Sequence, residues 1–362
     1  MSKVLLSLKS LDTYKHHSTT ILFIVGFFVD MAILPDIDKP RALYFGLAYL
    51  VSTALLIMFR EWLVSRNTAS KTEQKLYSFS TFGIVCLLGS ALSFVFIYSM
   101  RGADIFVSWP LLVILLLCIL SNELVSSHSF RFTLDVGILF LATLFYTVFH
   151  MPVILKSQND VTFSISIAIA IAICMAYIFI LKFTSEAAQN EAPRGYALAV
   201  GIPMFVGMLY FLNVLPAVPL SLNKSGIYHS IRHEGSEFPA LEERDTYKGI
   251  FAKFHTPVFH LSNSESQIYF FSSINAPAEL TAPISHVWEY YDEKEGKWKQ
   301  SNIVSFGIVG GRTEGYRTYS FKNNVTPGLW RVTVKVGGKR VVGRETFKVE
   351  KSAAVPLTEV NL

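Results

Sequence analysis

The chain has 362 residues, of which 51% are hydrophobic and only 16% charged, too apolar for a wholly soluble protein. Its formal net charge of +5 does not gather into a basic stripe, which excludes nucleic acid as a partner. Cys86, Cys118 and Cys174 all lie in apolar runs, which excludes a disulfide framework and a cysteine metal site.

Charge divides the chain. Residues 1–221 hold 14 Lys plus Arg and 12 Asp plus Glu, whereas residues 222–362 hold 18 and 15. A membrane part is therefore followed by a water-soluble part. A bilayer core needs about 20 mostly apolar residues in a helix, because backbone amides in lipid are satisfied only within the segment. Seven windows approach this: Thr19 to Pro35, Ala42 to Phe59, Phe79 to Met100, Asp104 to Leu120, Phe132 to Phe149, Phe163 to Phe183, and Tyr196 to Pro216. They predict an all-α membrane bundle of about seven transmembrane helices in residues 1–221, with the lipid bilayer as its partner. The first window is short and contains Asp30. The polar stretch Asp12 to His17 and the lack of a small-residue cleavage pattern argue against a cleaved signal peptide.

Basic residues resist translocation, so their placement orients the bundle. With a cytoplasmic N-terminus, the inner segments hold Lys3, Lys9, Lys15, Arg60, Arg66, Lys71, Lys75, Arg131, Lys182 and Arg194, against Lys39, Arg41, Arg101 and Lys156 outside. An odd helix count then places the C-terminal part outside the cytoplasm. Trp62 and Trp109 stand near span ends, as interfacial anchors do. Ionisable residues in or near spans mark ion or proton pathways, because an unpaired charge there costs several kcal/mol. Asp30, Glu123, Arg131, Asp135 and His150 are the candidates. Arg131 and Asp135 are four apart, the spacing of a helical ion pair. Pro110, Pro152, Pro203 and Pro216 are possible kink sites.

Beyond Pro219 the composition changes. Residues 222–248 read as a polar stem, 249–350 as an all-β domain and 351–362 as a tail. Short β-type runs cover Phe251 to Phe259, Gln267 to Ile274, Ile284 to Tyr291, Asn302 to Val309, Tyr316 to Lys322, Leu329 to Val336 and Lys339 to Val349. Their spacing predicts an antiparallel, sandwich-like fold. Gly337-Gly338 supplies the positive φ of a tight hairpin turn. Trp330, Val332, Val334 and Val336 alternate with Arg331, Thr333 and Lys335, so one face is buried and the other wet.

The same region carries an ordered set of motifs: His286-Val287-Trp288; Val304 and Val309; Tyr316-Arg317-Thr318-Tyr319-Ser320; Pro327-Gly328-Leu329-Trp330-Arg331-Val332; and Phe347-Lys348-Val349. As a set, over about the last 90 residues, it resembles the bacterial family called domain of unknown function 2914. In that family a His-Trp pair, an Arg-Thr-x-Ser run, a Gly-x-Trp-Arg-Val strand and a closing Phe-x-Val recur in this order. Here Val287 separates the His from the Trp. The resemblance implies a compact β-domain, commonly joined to membrane segments in Gram-negative bacteria, and hence an inner-membrane protein with a periplasmic domain. It implies no activity, cofactor or catalytic residue.

Candidate binding residues follow from chemistry. Arg317 and Arg331 have the fork geometry for a carboxylate or phosphate, with Glu314 or Glu345 as alternative partners. His286, Trp288, Tyr290 and Trp298 offer rings for a glycan, although His286, Trp288 and Tyr290 share one strand face, as a core also requires. His229 and His233, four apart beside Glu234 and Glu237, have metal-compatible spacing, with His255 and His260 following, but no helical pattern supports them. No catalytic, cofactor or metal signature is present. The leading expectation is a non-enzymatic envelope protein whose periplasmic domain binds a protein or glycan. The alternatives are a transporter or channel accessory using Asp30, or an enzyme on lipid-linked substrates using Asp36, Asp38, Arg41, Arg101, Asp104, Lys156 and Asp160.

Overall fold

A computed structural model describes residues 30, 32, 40–66, 70–101, 105–124, 128–235, 237–243, 256–262, 267–311, 315–352 and 356–362. The chain divides near Leu215 into an α-helical unit and a β unit. Among the described residues there are six helices: α1 (Pro40–Ser65), α2 (Lys71–Arg101), α3 (Ile105–Leu124), α4 (His128–Ile154), α5 (Asp160–Leu181) and α6 (Glu186–Phe211). Among the described residues α1, α2, α4, α5 and α6 are long and apolar enough to cross a membrane, and α3 carries the shorter apolar stretch Ser108–Cys118. Each of the last six apolar windows falls on one helix, and the first, Thr19 to Pro35, lies outside the described residues except for Asp30 and Ala32. Polar and charged turns start α4, α5 and α6 before their windows, whereas α5 and α6 stop at Leu181 and Phe211, short of Phe183 and Pro216. Asn159 caps α5 by accepting the Thr162 N–H, and Ser185 caps α6 by accepting that of Ala188. Asp160 and Glu186 then stand in the first turns, where the helix dipole favours an acid. Pro110, Pro152 and Pro203 lie inside α3, α4 and α6.

Side-chain contacts fix which helix ends lie together. Arg60 near the end of α1 reaches Asp135 near the start of α4, and Ser185 before α6 reaches Glu61. Near the other end of the bundle, Tyr146 donates to Leu43 O, Phe94 stacks on His150, and Tyr210 stacks on Phe163 at 3.6 Å. Helices α2 and α4 therefore run parallel, with α3 between them in the chain. In α3, Ser108, Leu111 and Leu115 are buried at helical spacing. Large apolar side chains such as Tyr44, Leu55, Phe79, Phe183 and Phe211 point outward.

The β unit has three layers. Strands β4 (Val258–Ser262), β10 (Arg340–Ser352), β9 (Gly328–Val336), β6 (Thr281–Asp292) and β7 (Lys297–Val309) form one sheet in that order. A second sheet is β1 (Ser221–Tyr228), β5 (Gln267–Asn275) and β8 (Tyr316–Asn323); a third, small one is β11 (Leu357–Asn361), β3 (Pro239–Glu243) and β2 (Ser230–Ile231). The first two sheets enclose the main core of Trp288, Trp330, Phe347, Phe270 and the β9 valines. Successive residues of β5 serve opposite faces: Phe270 enters this core, and Phe271 joins Tyr228, Phe238 and Leu362 in a second one beneath the small sheet.

Three expectations are corrected. The supposed stem, 222–248, contains β2, β3 and most of β1, and β1 completes the second sheet. The supposed tail contains β11, paired with β3. The domain is not wholly antiparallel, because β4 joins β10 in parallel. The hairpin is as expected: Gly337 and Gly338 adopt φ of 60° and 70°, and the Lys339 N–H donates to Val336 O.

Candidate functional site

The helical unit contains a buried four-charge cluster. Asp135 is fully buried; its Oδ2 accepts Arg60 Nη1 at 2.6 Å, and its Oδ1 forms an ion pair with Arg131 Nε at 2.8 Å. Arg60 also lies 3.3 Å from Glu61, and the Ser185 hydroxyl donates to Glu61. Tyr77 and Tyr177 border the cluster. Two cations and two anions thus compensate one another where water is excluded, the condition under which buried charges are tolerated. The Arg131–Asp135 pair was legible from its spacing. Arg60 and Glu61 were not, because neighbours in sequence point to different helix faces.

Asp30 is also buried. The Tyr49 hydroxyl donates to its Oδ1 at 2.9 Å, while Oδ2 has no hydrogen-bond partner among the described residues. His150 has Nδ1 2.9 Å from Tyr146 O and a buried Nε2 without a partner among the described residues. The side chain of Glu123 lies outside the described residues, as do Asp36, Asp38 and Asp104. Asp160 accepts the Tyr210 hydroxyl at 2.6 Å.

In the β unit, His286 and Trp288 point from β6 into the core. His286 Nε2 lies 2.8 Å from Ser272 Oγ and Nδ1 2.9 Å from Ser320 Oγ; Trp288 Nε1 donates to the same Ser320 oxygen at 3.0 Å. Phe270 and Phe306 meet the imidazole edge-on. These contacts staple the first sheet to the second. Burial pushes the His286 pKa down to about 3, so the ring is neutral and one nitrogen donates while the other accepts.

Arg317 and Arg331 lie on different sheets. Arg331 grips Glu289, its cross-strand neighbour, bidentately at 2.7 and 2.8 Å, and its guanidinium lies over Trp298 at 4.2 Å. Burial alone would raise the Glu289 carboxyl, but Arg331 outweighs it and holds the carboxyl below the usual range. Arg317 instead donates to Leu362 O at 2.9 Å, over the ring of Phe238. Glu314 is outside the described residues, and Glu345 accepts the Ser225 hydroxyl. The two arginines form no shared anion fork, and Trp298 has Arg331 on its face.

The motif residues converge on this core: His286, Trp288 and Ser320 in the staple, with Trp330 and Phe347 packed among the same side chains. Residues 281–349 match the family described as Protein of unknown function (DUF2914). The match runs from the first residue of β6 into β10, so the DUF2914 region comprises β6, β7, β8, β9 and β10 as far as Val349. The C-terminal resemblance read from the sequence is thereby shown. No curated protein matches the chain.

Outside the DUF2914 region, Glu243 joins two histidines. His229 Nε2 lies 3.0 Å from Oε1, His260 Nδ1 lies 2.8 Å from Oε2, and the His260 backbone N–H donates to Oε1. His233 packs against Phe238 instead. Among the described residues no group of three ligands suits a metal. Burial pushes the Glu243 carboxyl up, but the bonds from His229 and His260 outweigh it and leave it below the ordinary value of 4.5. Such a group stabilises the fold above its unfolded pKa, and that contribution is lost as pH falls through the folded value. Glu243→Gln is therefore expected to flatten the loss of protection of β3 and β4 amides below about pH 4.5, measured by hydrogen exchange. An unchanged acid limb would assign that loss to other carboxylates.

Proposed function

We propose that this chain is a membrane-anchored binding protein of the bacterial inner membrane whose β-domain, outside the cytoplasm, takes up an extended segment of an envelope protein along β7. The observation that carries this is the composition of the β7 edge. Among the described residues strand β7 pairs only with β6, and its stretch 302–309 (Asn-Ile-Val-Ser-Phe-Gly-Ile-Val) contains neither a charge nor a proline. Open edges are normally guarded by one or the other, because unpaired N–H and C=O groups recruit further strands. Here the guards, Lys297 and Lys299, lie only before the register shift near Ser301, while Ile303 and Val309 are 47% and 56% exposed. An uncharged, register-regular edge suits strand addition, in which the backbone supplies affinity and alternate side chains supply specificity. A glycan is less well served, since His286 and Trp288 are buried and Trp298 carries Arg331 on its face.

Topology supports the location. Because α2 and α4 run parallel, α3 makes a crossing of its own; its 20 residues span about 30 Å at 1.5 Å per residue. The end shared by Ser65 and His128 carries Arg66, Lys71, Lys75, Lys182 and Arg194, against Arg41, Arg101 and Lys156 at the other end. The first end is then cytoplasmic. Helix α6 starts there and leaves the β-domain on the far side, whichever way the Thr19 to Pro35 window is disposed.

The test is photo-crosslinking in cells from Ile303 and Val309, with exposed Lys351 as control. Adducts with a second polypeptide at the two β7 positions, absent from the control and abolished at Val309 by Ile303→Lys, are expected. Equal yields at all three positions would sink the edge-docking reading.

A further inference from the structure

Among the described buried acids of the helical unit, Asp30 is treated differently from the others. Glu61 and Asp135 each lie within 3.3 Å of a guanidinium. Asp30 has no ion pair among the described residues; the Tyr49 hydroxyl fills one oxygen, the Ser90 hydroxyl faces the carboxyl group, and Oδ2 has no hydrogen-bond partner among the described residues. An ionised carboxylate so placed loses solvation that two hydroxyls return only in part. A proton on Oδ2 relieves this cost, and hard-cation binding is less suitable because few oxygens of the described residues converge here.

A second buried polar group packs against α2 one turn from Ser90. His150 Nδ1 points at Tyr146 O at 2.9 Å, so it is the protonated nitrogen, and the lone pair of Nε2 is buried without a hydrogen-bond partner among the described residues. Ser90 and Phe94 are one turn apart on α2; the first faces Asp30 and the second stacks on His150 at 5.9 Å. Between them in sequence, Ser93 has a buried hydroxyl, also without a hydrogen-bond partner among the described residues. Tyr49 lies about 13 Å along α1 from Pro40, and His150 about 6 Å from the end of α4, at 1.5 Å per residue. The order from that end inward is His150, then Asp30. Helix α1 is packed tightly at this level: a Cβ on Gly46 would stand 2.8 Å from the Tyr146 ring and 2.9 Å from that of Phe94.

We propose that Asp30, with Tyr49 and Ser90, is a proton-binding site inside the bundle, loaded through His150 from the β-domain side. The step is Asp30 carboxylate plus a proton delivered by water of that compartment, giving the neutral acid. The proposal rests on the reading that these helices lie in a bilayer, and failure of the full chain to incorporate into lipid vesicles would count against that reading instead. In vesicles, acid-minus-alkaline infrared difference spectra of the full chain should show the carbonyl stretch of a buried carboxylic acid, and Asp30→Asn should lack it. Tyr49→Phe should keep the band and alter its frequency, by removing the donor on Oδ1. After a pH jump on the β-domain side, His150→Gln should delay the band's appearance at least about tenfold, equivalent to about 1.4 kcal/mol of barrier. Identical spectra for the unaltered chain and Asp30→Asn would overturn the site. An unchanged rate in His150→Gln would overturn the path.

Discussion

Asp135→Ala is expected to destabilise the helical bundle by about 3–5 kcal/mol, the cost of breaking a buried ion pair by removing one partner. The carboxylate holds two guanidinium groups at once, at 2.6 and 2.8 Å. Without it Arg60 retains Glu61 at 3.3 Å, but the cluster acquires a net positive charge inside the bundle. The decisive comparison is the double variant Asp135→Ala/Arg131→Met. It removes one charge of each sign and leaves the balanced Arg60–Glu61 pair, so it should recover much of the loss, with a coupling in the range of about 0.5–3 kcal/mol. Thermal unfolding of the detergent-solubilised chain would measure both. A double variant as unstable as the sum of the two single ones would show that Asp135 acts through packing rather than charge balance.

The legible and illegible parts of this chain separate along physical lines. Helix positions were legible because each helix carries a long apolar run, but helix lengths were not. The end turns hold Arg60, Glu61 and Arg131, whose burial depends on partners up to 124 residues away. The main strands of the sandwich were legible from alternation. Strand β1 was not, because its register shifts between Leu222 and Lys224, which breaks the period of two. Strand β11 was not, because its residues are largely exposed and its order comes from pairing with β3. His286 and Trp288 could be placed on one face from spacing alone. Ser272 and Ser320, which complete their network, could not, since a serine in a strand carries no signal of what it will meet. Arg317 and Arg331 occupy successive strands in the chain, and their separation onto two sheets is a property of the topology.

The DUF2914 region carries the larger pH-dependent effect. A histidine held neutral at a pKa of about 3 against an ordinary 6.5 binds no proton in the folded domain while the unfolded chain does. Its contribution is therefore fully present above about pH 6.5 and is lost progressively down to about pH 3, at about 1.4 kcal/mol for each pH unit. This window lies above that of Glu243 and Glu289, whose depressed values act only below the ordinary 4.5. Acidification from pH 6.5 to 5 should then weaken the protection of β6 amides by about tenfold per unit when exchange proceeds through opening of the domain. His286→Gln, which keeps a donor and an acceptor near Ser272 and Ser320 but cannot titrate, is expected to be less stable at neutral pH and nearly flat across this window. A slope as steep in His286→Gln as in the unaltered chain would move the acid sensitivity to another group. The flat outcome would identify the buried imidazole as the reason this sandwich loosens in mild acid, through the same hydrogen bonds that staple its two sheets.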